Sequence, residues 1–182
     1  MTQPTITIIG SSNTDMVIRT DHLPEPGETI LGGTFFMNAG GKGANQAVAA
    51  ARLGGKVNFI CKTGDDIFGR QSIQLFQEEG IDTSYLIKDP RHPSGVALIT
   101  VDKNAENCIV VASGANAALK PSDLLLAREL ILQSSIILMQ LEIPLDTVSY
   151  AAAMAYEKNI PVAERLYHKH LLILKEEGKN NG

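Results

Sequence analysis

NAGGKGANQAVAAARLG, residues 38–54, joins a glycine-rich loop to a segment with strong helix propensity. Glycines allow such a loop to turn tightly, and the helix that follows directs its first backbone N–H groups toward the loop. The arrangement brings polar groups up against a polar ligand. Lys42 and Asn45 are therefore candidates for contacts with hydroxyl groups or with an anion.

Two familiar glycine loops do not match these residues. A phosphate-binding loop requires Ser or Thr after its lysine, whereas Gly43 follows Lys42 and supplies no hydroxyl for Mg²⁺. A dinucleotide-binding loop ends in Gly or Ala so that helix and strand can pack closely, whereas the corresponding residue here is Gln46. The loop therefore predicts a different kind of site.

The composition indicates a globular protein and excludes some partners. A chain of 182 residues with 44% hydrophobic residues fits about one domain with a sizeable core. A net charge of −4, with 5% aromatic residues and no Trp, argues against a nucleic-acid-binding or anionic-membrane surface. The sequence has no apolar leader at its start and no apolar run of about 18 residues. We therefore predict a cytoplasmic protein with no membrane or nucleic-acid partner.

The pattern of apolar runs predicts an α/β fold with a parallel central sheet. Core strands are predicted at 5–10, 57–62, 136–141 and from 160, alternating with helices at 43–53, 66–79, 121–133 and 145–159. Four further strands do not fit this alternation and predict a small β lid: about 15–19, 29–37, 94–101 and 107–112. Cys61 and Cys108 lie in apolar, strand-like runs, which predicts two buried, reduced thiols.

Polar residues follow the predicted core strands, where ligands of open α/β sheets bind. They supply carboxylates, amides and an ammonium, a set that suits a sugar because each hydroxyl both donates and accepts: Asn13, Asp15, Gly41, Lys42, Asn45 and Glu142. A plainer interpretation makes Asn13 a turn residue and Asp15 a solvated charge. Glu142 at the end of a buried strand requires a partner or a role. No group has the spacing of a metal site, and the pair His168 and His170 lacks further ligands.

Seven segments together resemble the ribokinase-like (phosphofructokinase-B type) sugar kinases. They occur in the family's order: GSSNTD (10–15), PEPGET (24–29), residues 38–53, TGDD (63–66), SGVALI (94–99), SGANAAL (113–119) and MQLE (139–142). The resemblance implies a three-layer α/β sandwich with a parallel central sheet and a small β lid. We expect residues 1–162 to be the N-terminal, sugar-binding portion of such a fold.

The resemblance also implies an activity and its participants. The family's ribose contacts correspond to the six polar-site residues named above, and Gly95, Ala97 and Ile99 fall on the lid strand that closes over the sugar. The implied reaction transfers the γ-phosphoryl group of ATP to the 5-hydroxyl of ribose or a similar pentose, with Mg²⁺ and a monovalent cation (K⁺). Lid strands of the family pair between subunits, which implies a homodimer.

The last residues depart from the family pattern. An Asn-Pro-Ala-Pro-like segment, an Asn-x-x-Glu motif and a Gly-Ala-Gly-Asp motif are absent, and residues 163–182 read AERLYHKHLLILKEEGKNNG. A frameshift or premature stop, a natural short relative, or a local helix carrying Leu166 and His170 would each account for this tail. Because the ATP site and general base belong to the missing motifs, we expect the chain as given to lack kinase activity. Two alternatives remain: a non-catalytic pentose-binding or regulatory module, and a kinase for another sugar or nucleoside.

Overall fold

The structure is a computed structural model that describes residues 4–165. Its strands are β1 (Thr5–Ile9), β2 (Asn13–Arg19), β3 (Thr34–Gly40), β4 (Lys56–Ile60), β5 (Lys62–Gly64), β6 (Ile87–Asp89), β7 (Gly95–Val101), β8 (Asn107–Ala112), β9 (Ile136–Gln140) and β10 (Val162–Arg165). Its α-helices are α1 (Lys42–Arg52), α2 (Ile67–Glu78), α3 (Pro121–Leu124), α4 (Arg128–Leu132) and α5 (Leu145–Glu157). Short 3₁₀ turns lie at Gly114–Ala118 and Leu125–Ala127.

The central sheet is parallel, as the alternation of strands and helices predicts. Its strand order is β10-β9-β1-β4, and β1 pairs with both β4 and β9. The expected domain boundary after residue 162 falls inside β10, which pairs with β9. Residues from 166 onward, with the tail helix considered above, lie outside the described residues.

The hydrophobic core has two halves, one on each face of the central sheet, and the successive β1 residues Ile8 and Ile9 belong to different halves. Ile8 packs with Phe59 and Phe76 beneath α1 and α2, and the two rings meet edge to face with centroids 5.1 Å apart. Ile9 packs on the opposite face with Ile137 and residues of α5. Because side chains alternate across a strand, helices cover both faces of the sheet. This confirms the expected three-layer α/β sandwich. Within residues 4–165 every helix is too short or too polar to traverse a lipid bilayer.

A second four-stranded sheet forms the lid, with the order β3-β2-β7-β8. Its strands β2 and β7 run parallel, while β3 and β8 pair antiparallel at the two edges. The register places Asn13 between Gly40 and Gly95. The lid therefore begins at the end of β1, so residues of both sheets meet at that point.

The bounds of two lid strands differ from the predicted ones. The strand expected at 29–37 is β3, Thr34–Gly40. Gly32 and Gly33 have φ values of +101° and +100°, which extended L-residues do not adopt, so the strand starts only after them. The strand expected at 15–19 begins at Asn13, because that residue already pairs with Gly40. The strands expected at 94–101 and 107–112 are β7 and β8.

Three other local predictions also need correction. The strand expected at 57–62 is divided at Cys61, where the chain leaves β1 and begins to pair with β6. The helix expected at 121–133 is interrupted by the 3₁₀ turn at Leu125–Ala127. Cys61 is buried as predicted, but Cys108 is exposed because all six residues of the edge strand β8 are exposed.

Candidate functional site

Glu142 caps the N-terminus of α1 from another element of the fold. The N-cap residue Gly41 has no side chain with which to satisfy the first amides of the helix. Glu142 Oε2 instead accepts hydrogen bonds from the Lys42 backbone N–H (3.0 Å) and from the Ser11 hydroxyl (2.6 Å). Glu142 Oε1 forms an ion pair with the Lys42 ammonium. One carboxylate therefore joins β1, α1 and the end of β9.

The surroundings of Glu142 favour its charged form. Burial by itself raises the pKa of this carboxyl, but the Lys42 ammonium, the Ser11 hydroxyl and the Lys42 backbone N–H donate to it and together lower its pKa. An anion is favourable at the positive end of a helix. Because the first amide of α1 already has an anionic partner within the protein, the geometry agrees with the exclusion of a phosphate-binding loop.

Two glycines allow α1 to approach β1 this closely. Gly41 has a φ of +91°, and a Cβ there would lie 2.9 Å from the backbone N of Asn13. A Cβ at Gly43 would lie 2.6 Å from the backbone N of Ser11, closer than any real Cβ contact. The Ala44 N–H donates to the Ser11 carbonyl at 2.9 Å. The glycines of the loop thus serve helix packing, and this packing holds Lys42 beside Glu142.

Asp15 lies two residues after Asn13, on the same face of β2. Its carboxyl occupies the space beside Gly40, where a Cβ would overlap it. Partial burial, and after it the negative charge of Glu142, raise the pKa of Asp15. The protein thus stabilises the charged form of Glu142 and disfavours the charged form of Asp15. Glu142 has internal donors, whereas Asp15 gains from any external donor that approaches it.

Asn13 is 5% exposed and lines a cavity of about 430 Å³ together with Glu142. Its side-chain Oδ1 accepts a hydrogen bond of 2.8 Å from Asn116 Nδ2. Neither Asn116 nor Ser11 was among the predicted site residues, although both lie in segments that carry the family resemblance. Their roles depend on contacts between residues distant in sequence, which no local pattern displays.

The predicted sugar contacts are only partly gathered in one place. Lys42 pairs with Glu142, Gly41 packs against the backbone of Asn13, and Asp15 is near enough to Glu142 for their charges to interact. Of the six predicted residues, Asn13 and Glu142 line the cavity of about 430 Å³. Asn45 lies one helical turn after Lys42, is exposed, and lines a different cavity of about 540 Å³. Residues three apart share a helix face, so Asn45 stands on the side of α1 that carries Lys42. The assignment of these six residues to a sugar stays a prediction.

The three predicted lid residues alternate along β7. In register, Gly95 pairs with Asn13, Ala97 with Asp15, and Ile99 with Val17. Paired residues of neighbouring strands point to the same face of a sheet. Gly95, Ala97 and Ile99 therefore share the sheet face of Asn13 and Asp15, and Ala97 is 4% exposed. A lid residue over the site would come from this face.

The described residues do not fit a resident metal ion. Across residues 4–165, no group of three or more His, Cys, Asp or Glu side chains is arranged to hold one. Asp66 of the TGDD segment caps α2, because its side chain accepts a hydrogen bond from the Gly69 N–H at 2.8 Å. We therefore derive no step through Mg²⁺ or ATP from these residues.

Comparisons with known proteins agree with the fold and the motifs. The profile of the pfkB family of carbohydrate kinases matches residues 3–166. The chain is 45% identical over 158 residues to ribokinase of Haemophilus influenzae and 42% identical over 157 residues to deoxyribokinase of Salmonella typhi, covering 87% and 86% of this chain and 52% and 51% of those proteins.

A solved structure described as Arabidopsis thaliana ribokinase complexed with ribose and ATP superposes with a TM-score of 0.80 at 28% identity, over 91% of this chain and 54% of that one. Ribokinase from Thermotoga maritima superposes with a TM-score of 0.78 at 36% identity, over 88% and 52%. The chain thus spans about half the length of the relatives it matches. It belongs to the pfkB family of carbohydrate kinases.

Proposed function

We propose that this chain is the sugar-binding half of a kinase that phosphorylates ribose to ribose 5-phosphate with ATP. One observation carries the proposal: the Lys42–Glu142 pair, Asn13 and Asp15 converge where the central sheet meets the lid. Since the chain spans about half the length of its relatives, we propose this activity for a whole enzyme of which the chain is one half.

The converging groups suit a polyol. Asp15 offers carboxylate oxygens that accept hydrogen bonds from hydroxyl groups, while Lys42 offers N–H donors to hydroxyl oxygens. The cavity of about 430 Å³ falls within the usual range for small-molecule sites. A sugar that reached from this cavity to Asp15 would donate hydrogen bonds to a half-buried carboxyl that accepts none within residues 4–165. Binding and positioning of the sugar are the steps that these residues would perform.

We expect the chain of 182 residues to bind sugar without turning over ATP. Phosphoryl transfer requires groups that surround the transferred phosphate and a base for the hydroxyl proton, and the motifs that supply them in the family are absent. ATP, Mg²⁺ and K⁺ stay predictions for the whole enzyme, as does a cytoplasmic location. Ribose-dependent ATP hydrolysis by the purified chain would contradict this expectation. Ribose binding without hydrolysis is also what a regulatory pentose-binding module would show.

The sugar itself has two close candidates. The chain is similar at nearly equal identity to a ribokinase and to a deoxyribokinase, which leaves the 2-hydroxyl as the discriminating group. We propose ribose and expect calorimetric titration to give tighter binding of ribose than of 2-deoxyribose, fructose or adenosine. Tighter binding of 2-deoxyribose would replace the proposed substrate, and the absence of binding by all four would remove the proposal.

Two substitutions test the site within the same titration. Asp15→Ala and Asn45→Ala each remove a predicted hydrogen-bonding partner of the sugar, and we expect each to abolish measurable ribose binding. Asn107→Ala is a matched control, since Asn107 is exposed at the far end of β8. Unchanged affinity in both site variants would show that the sugar binds elsewhere.

We further propose that two copies of the chain associate through their lid sheets. Within residues 4–165 no strand pairs with the outer edges of β3 and β8, and Phe35, Leu98 and Val110 are 59%, 56% and 63% exposed. Uncovered edges and apolar faces favour association. Light scattering should report a dimer that Leu98→Lys dissociates, whereas Leu126→Lys, on a body residue 82% exposed, should leave it intact. A wild-type monomer would contradict the proposal.

A further inference from the structure

Asn116 is a buried residue whose side-chain amide, within residues 4–165, bonds only to Ser12 and Asn13. It lies in the 3₁₀ turn Gly114–Ala118 and is 1% exposed. Its Oδ1 accepts from the Ser12 backbone N–H at 2.9 Å, and its Nδ2 donates to the Ser12 carbonyl at 3.0 Å and to Asn13 Oδ1 at 2.8 Å. One side chain thus binds both backbone groups of Ser12 and the side chain of Asn13.

The backbone of Ser12 determines which way round the Asn116 amide lies. A backbone N–H only donates and a carbonyl only accepts, so the oxygen of Asn116 must face the N–H and its nitrogen must face the carbonyl. The second proton on that nitrogen then points to Asn13, which must present its oxygen. Amide orientations are settled by such networks. Here the network has one consistent solution.

The orientation of Asn13 follows from that of Asn116. Its oxygen is engaged, and among residues 4–165 its Nδ2 has no hydrogen-bond partner, while the residue lines the cavity beside Glu142. We propose that Asn116 is a positioning residue that fixes Asn13 with its NH₂ group toward the ligand and its carbonyl away from it. The proposal rests on sugar binding at this cavity, as set out above.

Gly95 provides the space that the amide pair requires. It pairs with Asn13 across β2 and β7, and a Cβ at this position would overlap both Asn13 Oδ1 and Asn116 Nδ2. The first residue of the lid strand thus closes directly over the Asn13–Asn116 hydrogen bond. Any side chain at residue 95 would push the two amides apart.

A fixed donor at Asn13 complements Glu142, which lines the same cavity, and Asp15, which lies near enough to Glu142 for their charges to interact. Asp15 and Glu142 are acceptors, so they can engage only the protons of sugar hydroxyls. A hydroxyl that donates to a carboxylate still needs a donor for its oxygen. Asn13 Nδ2 supplies that donor, which a freely turning amide would offer only part of the time.

The binding test uses Asn116→Asp in the full chain. The introduced carboxylate has nearly the same shape, but when ionised it has no proton for the Ser12 carbonyl or for Asn13, so Asn13 turns over. We expect ribose affinity about tenfold weaker at pH 8, with part of the loss recovered at pH 6, because burial raises the pKa of such a group and protonation restores a donor. Asn159→Asp, in an exposed turn, carries the same charge change and should bind like wild type.

The ratio of variant to wild-type affinity isolates the introduced group. Glu142 lines the same cavity, and Asp15 and Lys42 interact with Glu142. All three groups are present in both proteins, so their own effect on ribose binding cancels in the ratio. A ratio near one at all pH values would overturn the proposal. A loss that does not change with pH would do so too, since it would indicate a purely structural role.

A measurement without ligand keeps the proposal testable if the variant does not fold or ribose does not bind. In the ¹⁵N-labelled wild-type chain, both Nδ2 protons of Asn116 should exchange slowly with solvent, and those of Asn13 should exchange quickly. The opposite pattern would contradict the orientation. Failure of wild-type ribose binding with the expected exchange pattern would instead overturn the proposed function and retain the amide orientation.

Discussion

The α/β body and the lid sheet differ in how they cover their apolar side chains. In the body, Ile8, Phe59 and Phe76 are at most 1% exposed. In the lid, Leu98 and Val110 are 56% and 63% exposed, and within residues 4–165 the outer edges of β3 and β8 pair with no further strand. The body therefore has a buried apolar core of its own, whereas the lid leaves several large apolar side chains exposed within the described residues. The candidate site lies at the boundary between these two regions.

The largest expected effect is a loss of stability in the body on Gly43→Ala. Alanine is the better helix former by about 1 kcal/mol, but its Cβ would meet the backbone of Ser11 at 2.6 Å. Because this contact involves backbone, overpacking should prevail and lower the free energy of unfolding by about 3 kcal/mol in urea denaturation.

Gly80→Ala is the control for that substitution. Gly80 has a φ of +72° with nothing within 4 Å of a Cβ, so only backbone strain of about 1 kcal/mol should appear. Equal losses for the two variants would contradict the close packing of α1 on β1.

The second largest loss of stability is expected on replacing Glu142, which caps α1 and lines the candidate site. Glu142→Ala leaves the Lys42 N–H and the Ser11 hydroxyl without their acceptor, which should cost about 2 kcal/mol at pH 7. Because folding lowers the pKa of Glu142, its stabilisation is present above the unfolded pKa of about 4.3 and is lost as pH falls through the folded value. The difference between wild type and variant should shrink in acid.

Thermal unfolding across this pH range measures the effect. Glu157→Ala removes an exposed carboxylate from the end of α5 and should change stability by less than about 0.5 kcal/mol. If Glu142→Ala lowered the free energy of unfolding by the same amount at pH 3 and pH 7, the ion-paired cap would be contradicted.

Asp15→Asn should have a smaller effect of the opposite sign. Folding raises the pKa of Asp15, so its destabilisation develops as pH rises from the unfolded pKa of about 3.9 through the higher folded value. At pH 7 the variant should be more stable by about 0.5 kcal/mol, a modest figure because the half-buried carboxyl is partly screened by solvent. Ribose binding should weaken in the same protein. Lower stability of the variant would indicate a structural role for this carboxylate.

The last prediction compares the thiol reactivity of one cysteine in the body with that of one in the lid, and it involves no change in stability. Cys61 is fully buried in the body and burial raises the pKa of its thiol, whereas Cys108 is exposed on β8. A thiol reagent should modify Cys108 rapidly and Cys61 only on unfolding. Cys108→Ser should remove the rapid phase, and simultaneous reaction of both thiols would contradict the burial of Cys61. If two lids associate, the rapid phase should slow with increasing protein concentration.

The body was predictable because its pattern is local. Each core strand is an apolar run, and each is followed by a helical segment, which indicates a parallel sheet before any contact is known. The lid was harder, because its strand bounds depend on Gly32 and Gly33 turning to positive φ and on the pairing of Asn13 with Gly40. Neither condition can be derived from propensity alone.

Residues for the candidate site could be proposed from the sequence, whereas the contacts between them could not. Asn13, Lys42 and Glu142 could be named because they follow strands or lie between glycines. The Ser11–Glu142 and Asn13–Asn116 hydrogen bonds join residues 131 and 103 positions apart. Such contacts arise only when the sheets assemble, so the cap on α1 and the orientation of Asn13 required the structure.

The most direct test of the central claim, a sugar site where body and lid meet, is ribose titration of the ¹⁵N-labelled chain monitored by NMR. We expect saturable shifts centred on the six predicted residues and on β7: Asn13, Asp15, Gly41, Lys42, Asn45 and Glu142. Fructose should cause weaker shifts at the same residues. Shifts confined to other parts of the chain, or no shifts at ribose concentrations that saturate ribose-binding proteins, would contradict the claim.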